Sequence, residues 1–145
     1  MRARTVALRS AAPAFLVSDV GETMRWYRSV LGFDTYPFPK TPPHVFGILA
    51  KGGVEIMLQR LEGYEKPRLY AKRAGGVWNA YIRITGVTAL YRRLRRRRDV
   101  EFLEPLCEQP YGDTEFAIAD PNGYVLVFSE LIRKPAKRRS SRRGD

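Results

Sequence analysis

An internal repeat limits the possible folds of this chain more than any single motif does. Residues 17–20 (Val-Ser-Asp-Val) align with residues 84–87 (Ile-Thr-Gly-Val), and residues 52–54 (Gly-Gly-Val) align with residues 122–124 (Asn-Gly-Tyr). Two similar segments at nearly the same separation indicate that one structural unit occurs twice. A unit of half this length has a sheet face that it cannot bury alone, so we expect both units to share one domain over residues 11–131.

The end of the second unit contains the clearest local signal, a β-hairpin. Its turn is the sequence Asp-Pro-Asn-Gly at residues 120–123. Proline presets the backbone for the first corner, and Asn-Gly tolerates the positive φ that reverses the chain. The flanking residues 114–119 and 124–129 are rich in β-branched and aromatic side chains, which favours two antiparallel strands.

Both units show the same predicted order of one strand, one helix and three further strands. Asp19 is placed to cap the first helix, and Gly32 is placed to end it. The predicted elements are strand 12–17, helix 20–30 and strands 33–38, 45–50 and 54–60, then strand 78–84, helix 87–97, strand 100–104, a loop at 105–111 and the hairpin.

This order predicts an α+β fold made of two tandem βαβββ modules, whose strands form a curled mixed sheet around a cavity. The predicted segments are a basic lead-in at 1–10, the first module at 11–60, a linker at 61–76, the second module at 77–131 and a disordered basic tail at 132–145.

The formal net charge of +11 is compatible with a nucleic-acid partner, so the position of the charge along the chain matters. Residues 132–145 hold seven Lys or Arg and one Asp, so more than half of the net charge lies in the tail. A run of four arginines at 95–98 ends the second helix, where positive charge suits the helix dipole. We therefore interpret both as solvated segments, with weak, salt-sensitive contact to a nucleic acid or other polyanion as an alternative.

The single cysteine and the lack of long apolar runs predict where in the cell this protein is found. One cysteine, Cys107, excludes an internal disulfide and gives no metal-binding spacing. No apolar run approaches the length needed to cross a membrane, and the N-terminus does not resemble a signal peptide. We expect a cytoplasmic protein with no membrane partner.

These motifs, in this order, resemble those of the vicinal oxygen chelate superfamily, which contains glyoxalases, ring-cleaving dioxygenases and bleomycin-resistance proteins. The resemblance rests on Leu-Val-Ser-Asp-Val at 16–20, Trp-Tyr at 26–27, Val-Leu-Gly-Phe at 30–33, Tyr-Gly at 111–112 and Phe-Ala-Ile-Ala-Asp-Pro-Asn-Gly at 116–123. It implies the glyoxalase/bleomycin-resistance fold, with a cavity enclosed by the two modules, and a homodimer as the assembly.

The resemblance also implies four positions at which related enzymes hold a divalent metal through His and Glu. In this chain they are Ala12, Met57, Asn79 and Val127. Such sites need carboxylate oxygens and imidazole nitrogens, which these residues lack. We therefore expect no metal, no cofactor and no metal-dependent chemistry of the glyoxalase or dioxygenase kind.

Alternation along the strands predicts which side chains face the cavity. Phe46, Trp78 and Tyr111 lie on or beside these strands, where they could stack on a planar ligand. Alternatively, Glu55 and Arg83 only pair with each other or lie at a solvated rim, and Trp78 is structural. The inward-facing residues are predicted to be Glu55, Met57, Gln59, Asn79, Tyr81, Arg83, Val127 and Ser129.

The leading hypothesis is a protein that binds or sequesters a small planar or amphipathic molecule without catalysing a reaction. The basic chain favours an anionic or neutral ligand. One alternative is a lyase, isomerase or dioxygenase-type enzyme with a non-standard site, such as a metal held by Glu55 and His44. Cys107 lies in a predicted loop with no neighbouring His, so no nucleophile-and-base pair is predicted.

Overall fold

The structure is a computed structural model that describes residues 4–131. Residues 4–10, the described part of the predicted lead-in, form no helix or strand and are exposed. The predicted disordered tail lies outside the described residues. No helix of the described chain is long and apolar enough to cross a membrane.

The first module forms a four-stranded sheet and one short helix. Its helix begins at Val20 because Asp19 Oδ1 accepts a hydrogen bond from the backbone N–H of Glu22 at 2.9 Å. Gly32 ends the helical segment with a φ of 76°. The bounds are β1 Ala14–Val17, α1 Val20–Trp26, β2 Asp34–Phe38, β3 Phe46–Lys51 and β4 Val54–Arg60, with a π-helical turn at Tyr27–Leu31 that continues α1.

The second module repeats this arrangement. It begins after the connecting segment, which contains a single 3₁₀ turn at Tyr70–Lys72. The bounds are β5 Ala80–Arg83, α2 Val87–Arg95, β6 Glu101–Glu108, β7 Asp113–Ala119 and β8 Val125–Leu131.

Sheet topology confirms the predicted α+β class and the duplicated βαβββ order. The first sheet has the strand order β1-β4-β3-β2, and the second has the equivalent order β5-β8-β7-β6. In each sheet the first strand pairs in parallel with the last strand of its module, and all other pairs are antiparallel. The hairpin predicted around residues 120–123 joins β7 to β8.

Strand β6 corrects one prediction. Residues 105–108 were expected in a loop, but they extend β6, which places Cys107 opposite Glu115 of β7. Pro105 is tolerated because β6 is an edge strand, where a missing backbone donor does not interrupt the sheet. The register shifts between Glu104 and Cys107, which is the irregularity expected around an edge proline.

One hydrophobic core runs through both modules. It contains residues of α1 and α2 together with the inner residues of β1, β4, β7 and β8. The rings of Phe15 and Tyr124 stack across the modules, with centroids 4.1 Å apart. The Tyr124 hydroxyl donates to the Leu16 carbonyl at 2.6 Å, which joins β1 to the β7–β8 turn. Tyr27 is fully buried in this core.

Candidate ligand-binding cleft

The candidate site lies on the face of the second sheet that points away from α2, which we call the cleft face. Helix α2 packs on the opposite face, where Phe116, Leu126 and Phe128 join the core. Strand pairing places the cleft-face residues in two rows. One row is Tyr81, Val127, Ala117 and Glu104, and the other is Arg83, Ser129, Glu115 and Cys107.

Tyr81 stands at the centre of a hydrogen-bonded cluster on this face. Its hydroxyl lies 2.8 Å from Asp113 Oδ2, 2.7 Å from Glu115 Oε1 and 3.1 Å from Ser129 Oγ. Burial is the largest cause that raises the pKa of Tyr81, and the hydrogen bonds with Glu115 and Asp113 raise it further, against an opposing effect of Ser129. The phenol therefore remains protonated and donates a hydrogen bond across the physiological range.

Asp113 anchors one end of the cluster. Its Oδ2 accepts from Arg83 Nη1 at 2.7 Å and from Ser129 Oγ at 2.8 Å. Burial favours the neutral carboxyl, but the hydrogen bonds from Ser129, Tyr81 and Arg83 outweigh it, so the pKa of Asp113 lies below its usual value. Arg83 thus pairs with Asp113, and the alternative in which it pairs with Glu55 is wrong.

Glu115 lies at the centre of the face and is 2% exposed. Its Oε1 accepts from the hydroxyl of Tyr111 at 3.0 Å as well as from Tyr81. Partial burial and the hydrogen bond with Glu115 raise the pKa of Tyr111 to about 12. Two phenol hydroxyls therefore lie within hydrogen-bond distance of one buried carboxyl group, next to the ion-paired carboxylate of Asp113.

The outer edge of the cluster is formed by β6 and the loop that follows it. Cys107 Sγ lies 3.5 Å from Glu104 Oε2, and Gln109 Nε2 donates to the same oxygen at 3.4 Å. Burial, followed by the charge of Glu104, raises the pKa of the Cys107 thiol. A protonated thiol is a poor nucleophile.

Two cavities adjoin the cluster, and Tyr81 and Arg83 line both. One, of about 460 Å³, is also lined by Tyr111, Asp113 and Ser129. The other, of about 470 Å³, lies where the modules meet and is also lined by Glu55 and Asn79. Six predicted cavity residues therefore line these two spaces: Glu55, Asn79, Tyr81, Arg83, Tyr111 and Ser129.

Three further residues from the sequence analysis lie beside the cluster in different roles. The Trp78 side chain is 43% exposed, and its ring centroid lies 5.2 Å from that of Tyr81. The side-chain oxygen Oδ1 of Asn79 accepts from the backbone N–H of Val125 at 2.8 Å, which joins the start of β5 to the start of β8. Val127 is 1% exposed and packs with Val125 and Ala117 below Tyr81, so it forms the floor of the cleft face.

The other predicted cavity residues lie on the first sheet, on the face opposite α1. Phe46 pairs with Gln59, and Ile48 pairs with Met57. Phe46 and Met57 are half-buried, whereas Gln59 and Glu55 are exposed. The first sheet therefore contributes an apolar, partly exposed surface, while the acidic and hydroxyl groups are concentrated on the second.

Sequence reasoning missed three carboxylates of the cleft face, Glu104, Asp113 and Glu115. The inward orientation of Glu115 could have been predicted from sequence, because the tight turn at 120–123 fixes the register of β7 against β8. Ser129 was predicted to face inward, and Glu115 lies directly opposite it. Glu104 was not predictable in this way, because the register shifts of β6 decide which of its residues turn inward.

The residues at the four metal positions implied by the resemblance do not fit a metal ion. Ala12 has no donor atom, the Val127 side chain is buried among apolar groups, and the Asn79 oxygen accepts from the backbone. Within residues 4–131, no group of three or more His, Cys, Asp or Glu side chains is arranged to hold a metal. Met57 alone would offer a soft thioether, which suits none of the hard ions.

A family model matches residues 9–128, and its description is the Glyoxalase/Bleomycin resistance protein/Dioxygenase superfamily. No curated protein matches the chain.

Solved structures show the same fold at low sequence identity. A glyoxalase-related enzyme from Clostridium phytofermentans has a TM-score of 0.67 and 18% identity, covering 90% of this chain and 100% of its own. TioX from Micromonospora sp. ML1 has a TM-score of 0.63 and 18% identity, covering 85% and 100%. The bleomycin-binding protein from bleomycin-producing Streptomyces verticillus, complexed with copper(II)-bleomycin, has a TM-score of 0.61 and 22% identity, covering 86% and 97%. At these identities the likeness concerns the fold.

Proposed function

This chain belongs to the Glyoxalase/Bleomycin resistance protein/Dioxygenase superfamily, and we propose that it binds a small planar molecule on its cleft face without using a metal. The observation that supports this most is the Tyr81 cluster. A hydrogen-bonded phenol, two carboxylates and a guanidinium adjoin two cavities of about 460 and 470 Å³. Cavities of this size with a few convergent polar groups are typical of small-molecule sites.

The aromatic side chains around the cluster favour a planar ligand. Tyr111 is 55% exposed and Trp78 is 43% exposed, although both are large rings that proteins usually bury more fully. Tyr81 lies between the acidic cluster and Trp78. A flat ligand placed against these rings would gain stacking contacts while its polar edge reaches the hydrogen-bonding groups.

The local charge favours a ligand with positive charge or several hydrogen-bond donors. Asp113 and Glu115 are both nearly buried on the cleft face, and Arg83 is the basic residue paired with them. The expectation of an anionic or neutral ligand came from the net charge of the whole chain, which says little about one cleft. The bleomycin-binding protein is complexed with copper(II)-bleomycin, and ligand binding on the same fold supports sequestration here.

The proposal includes a homodimer, because the exposed face of the first sheet is apolar. Two rows cross this face, one of Tyr36, Ile48, Met57 and Ala14 and the other of Phe38, Phe46, Gln59 and Leu16. Tyr36 is 55% exposed and Phe38 is 66% exposed. A second copy of this chain would cover the rows and deepen the cleft beside Glu55 and Met57.

Dye binding tests the proposed ligand class. Proflavine is planar and cationic, whereas anilinonaphthalene sulfonate is aromatic and anionic. We expect saturable proflavine binding by fluorescence, weakened about tenfold or more by Trp78→Ala and by the double variant Asp113→Asn/Glu115→Gln. Trp26→Phe, which changes a tryptophan of α1, serves as the control. Equal binding of both dyes, or equal loss in the control, would contradict the proposal.

A second candidate function is acid–base catalysis in the same cluster, and the two phenols that donate to Glu115 are the observation that favours it. Because their pKa values are raised, Tyr81 and Tyr111 keep their protons and would donate hydrogen bonds to a negatively charged oxygen of a substrate, while Glu115 would be the group that accepts a proton. Metal analysis of protein purified without a chelator separates both candidates from a metal enzyme. A stoichiometric transition metal would overturn the binding proposal made here.

A further inference from the structure

A third cavity, of about 510 Å³, lies at the opposite end of the first module from the cleft face. It is bounded by the connection from β1 to α1, by the loop before β3 and by the end of β4. None of its lining residues belongs to the Tyr81 cluster. The polar lining residues on which the argument depends are Asp19, Arg25, His44 and Arg60, and Gly21 lies among them.

Two guanidinium groups reach this cavity without strong protein partners. Within the described residues, Arg25 makes no hydrogen bond or ion pair. The nearest carboxylate oxygen to Arg60 is Glu62 Oε1 at 3.9 Å, and the Glu62 side chain is 87% exposed. Such a long, exposed contact contributes little and leaves the donors of Arg60 available. Guanidinium groups recognise phosphate and carboxylate through paired N–H donors.

His44 adds a third nitrogen group to the wall. Its Nδ1 lies 2.7 Å from the carbonyl oxygen of Pro39, and a carbonyl only accepts, so Nδ1 carries a proton and donates. That contact fixes the ring and directs Nε2 away from Pro39. With Nδ1 donating to Pro39, Nε2 is the acceptor nitrogen of the ring and can accept a hydrogen bond from a protonated phosphate oxygen held by Arg25 and Arg60.

The one acidic residue of the wall is already engaged. Asp19 Oδ1 accepts from the backbone N–H of Glu22 at 2.9 Å. The cavity thus carries two available guanidinium groups and an imidazole against one hydrogen-bonded carboxylate. Its local charge is positive, opposite to that of the cleft face.

Gly21 keeps open the point at which these groups converge. A β-carbon at this position would lie 3.3 Å from His44 Cδ2, 3.6 Å from Asp19 Oδ1 and 3.7 Å from Arg25 Nη1. Gly21 has no positive φ that would require glycine, so the backbone itself permits a side chain here. The missing side chain leaves room for a ligand atom within reach of Arg25 and His44.

We infer that this cavity binds the phosphate group of a small phosphorylated organic molecule, held by Arg25, Arg60 and His44. Pro42, Pro43 and Val20 provide an apolar wall for the organic part. The site is separate from the proposed function, because it uses different residues and the opposite ligand charge.

Calorimetric titration of the full-length chain tests this site. The probes are phenyl phosphate, inorganic phosphate and benzyl alcohol. We expect one phenyl phosphate per chain and weaker binding of inorganic phosphate, which lacks the apolar part, and benzyl alcohol should not bind. Arg25→Ala and Arg60→Ala should each weaken phenyl phosphate about tenfold or more, because each removes charge-assisted hydrogen bonds.

Two matched variants separate the site from general attraction of anions to a basic protein. Arg92→Ala removes the same charge from the exposed surface of α2 and should leave the affinity unchanged. Gly21→Ala keeps every charge, and its methyl group should weaken binding by occupying the convergence point without lowering the melting temperature. The inference would be overturned if Arg92→Ala and Arg25→Ala lost equal affinity for phenyl phosphate, or if binding did not saturate. It would also be overturned if Gly21→Ala bound phenyl phosphate with full affinity. Loss of proflavine binding in Trp78→Ala, with phosphate binding intact, would confirm that the two sites are independent.

Discussion

The hydroxyl of Tyr27 donates a hydrogen bond to Asp120 Oδ2 at 2.6 Å, although the two residues are 93 positions apart. Both side chains are buried. Asp120 Oδ1 also accepts from the backbone N–H groups of Asn122 and Tyr124, which shapes the β7–β8 turn. A single carboxylate therefore joins the helical segment of the first module to the hairpin of the second.

Removal of this donor is expected to destabilise the fold. Tyr27→Phe leaves the aromatic ring in the core but removes the hydrogen bond to a buried carboxylate, which should lower the free energy of unfolding by about 1–3 kcal/mol. Urea denaturation measures this value. The control is Tyr91→Phe, because the hydroxyl of Tyr91 accepts an exposed hydrogen bond from Arg95 Nη1 and its loss should cost less than about 0.5 kcal/mol. Similar costs in the two variants would show that the buried link contributes nothing specific.

The cost of Tyr27→Phe should also depend on pH. Burial raises the pKa of Asp120, and the hydrogen bonds from Tyr27, Tyr124 and Asn122 only partly oppose it. The folded state therefore takes up a proton before the unfolded state does as the pH falls. The Tyr27 hydrogen bond favours the ionised carboxylate, so the difference in unfolding free energy between variant and wild type should shrink at acidic pH. A constant difference between pH 3 and pH 8 would contradict this assignment.

Asp113 should affect stability in acid in the opposite direction to Asp120. Its folded pKa is lowered, so the stability that it contributes is complete above the unfolded value of about 3.9 and is lost as the pH falls through the folded pKa. We expect Asp113→Asn to be less stable than wild type at pH 7 and to lose less of its unfolding free energy between pH 5 and pH 2.5. Urea titrations at several pH values measure both effects. If the variant and the wild type lose the same unfolding free energy between pH 5 and pH 2.5, Asp113 is not ion-paired in solution.

The apolar rows on the first sheet predict that the chain forms a homodimer through this face. Phe38→Glu places a charge in one of these rows and should shift a homodimer to monomer at micromolar concentrations, because a buried unpaired carboxylate is costly. Sedimentation velocity measures the shift. Leu69→Glu, at an exposed leucine in the connecting segment, should leave the dimer unchanged. A wild-type chain that is monomeric at high concentration would show that a second copy does not cover this face.

The basic tail predicts a separate, salt-sensitive effect. Residues 133–145 carry seven Lys or Arg, so their deletion should lower the salt concentration at which the protein elutes from immobilised DNA. Replacement of the arginines at 95–98 by glutamine, with the tail intact, compares the two basic runs. If the deletion leaves elution unchanged, the tail has no part in polyanion binding.

The repeat, the turn residues and the strand alternation determined the fold class from sequence alone. The turn residues and the alternation are local signals, because their physical causes act over a few residues, and the repeat shows the same local signals twice. Asp19 caps α1 through a neighbour three positions away, and Asp-Pro-Asn-Gly forces a turn wherever it occurs. The same alternation brought Tyr81, Arg83 and Ser129 onto one face, and all three line the cleft.

The tertiary structure alone decided what those residues contact. Residues 105–111 were predicted to form a loop, but an edge strand tolerates Pro105, and the extended β6 brings Glu104 and Cys107 to the cleft face. The acidic character of that face, opposite to the net charge of the chain, depends on strands far apart in sequence. Tyr81 and Asp113 are 32 residues apart, and Tyr27 and Asp120 are 93 apart. Electrostatic interactions act through space over a few ångströms, so the distribution of charge among surfaces becomes defined only when the two modules pack together.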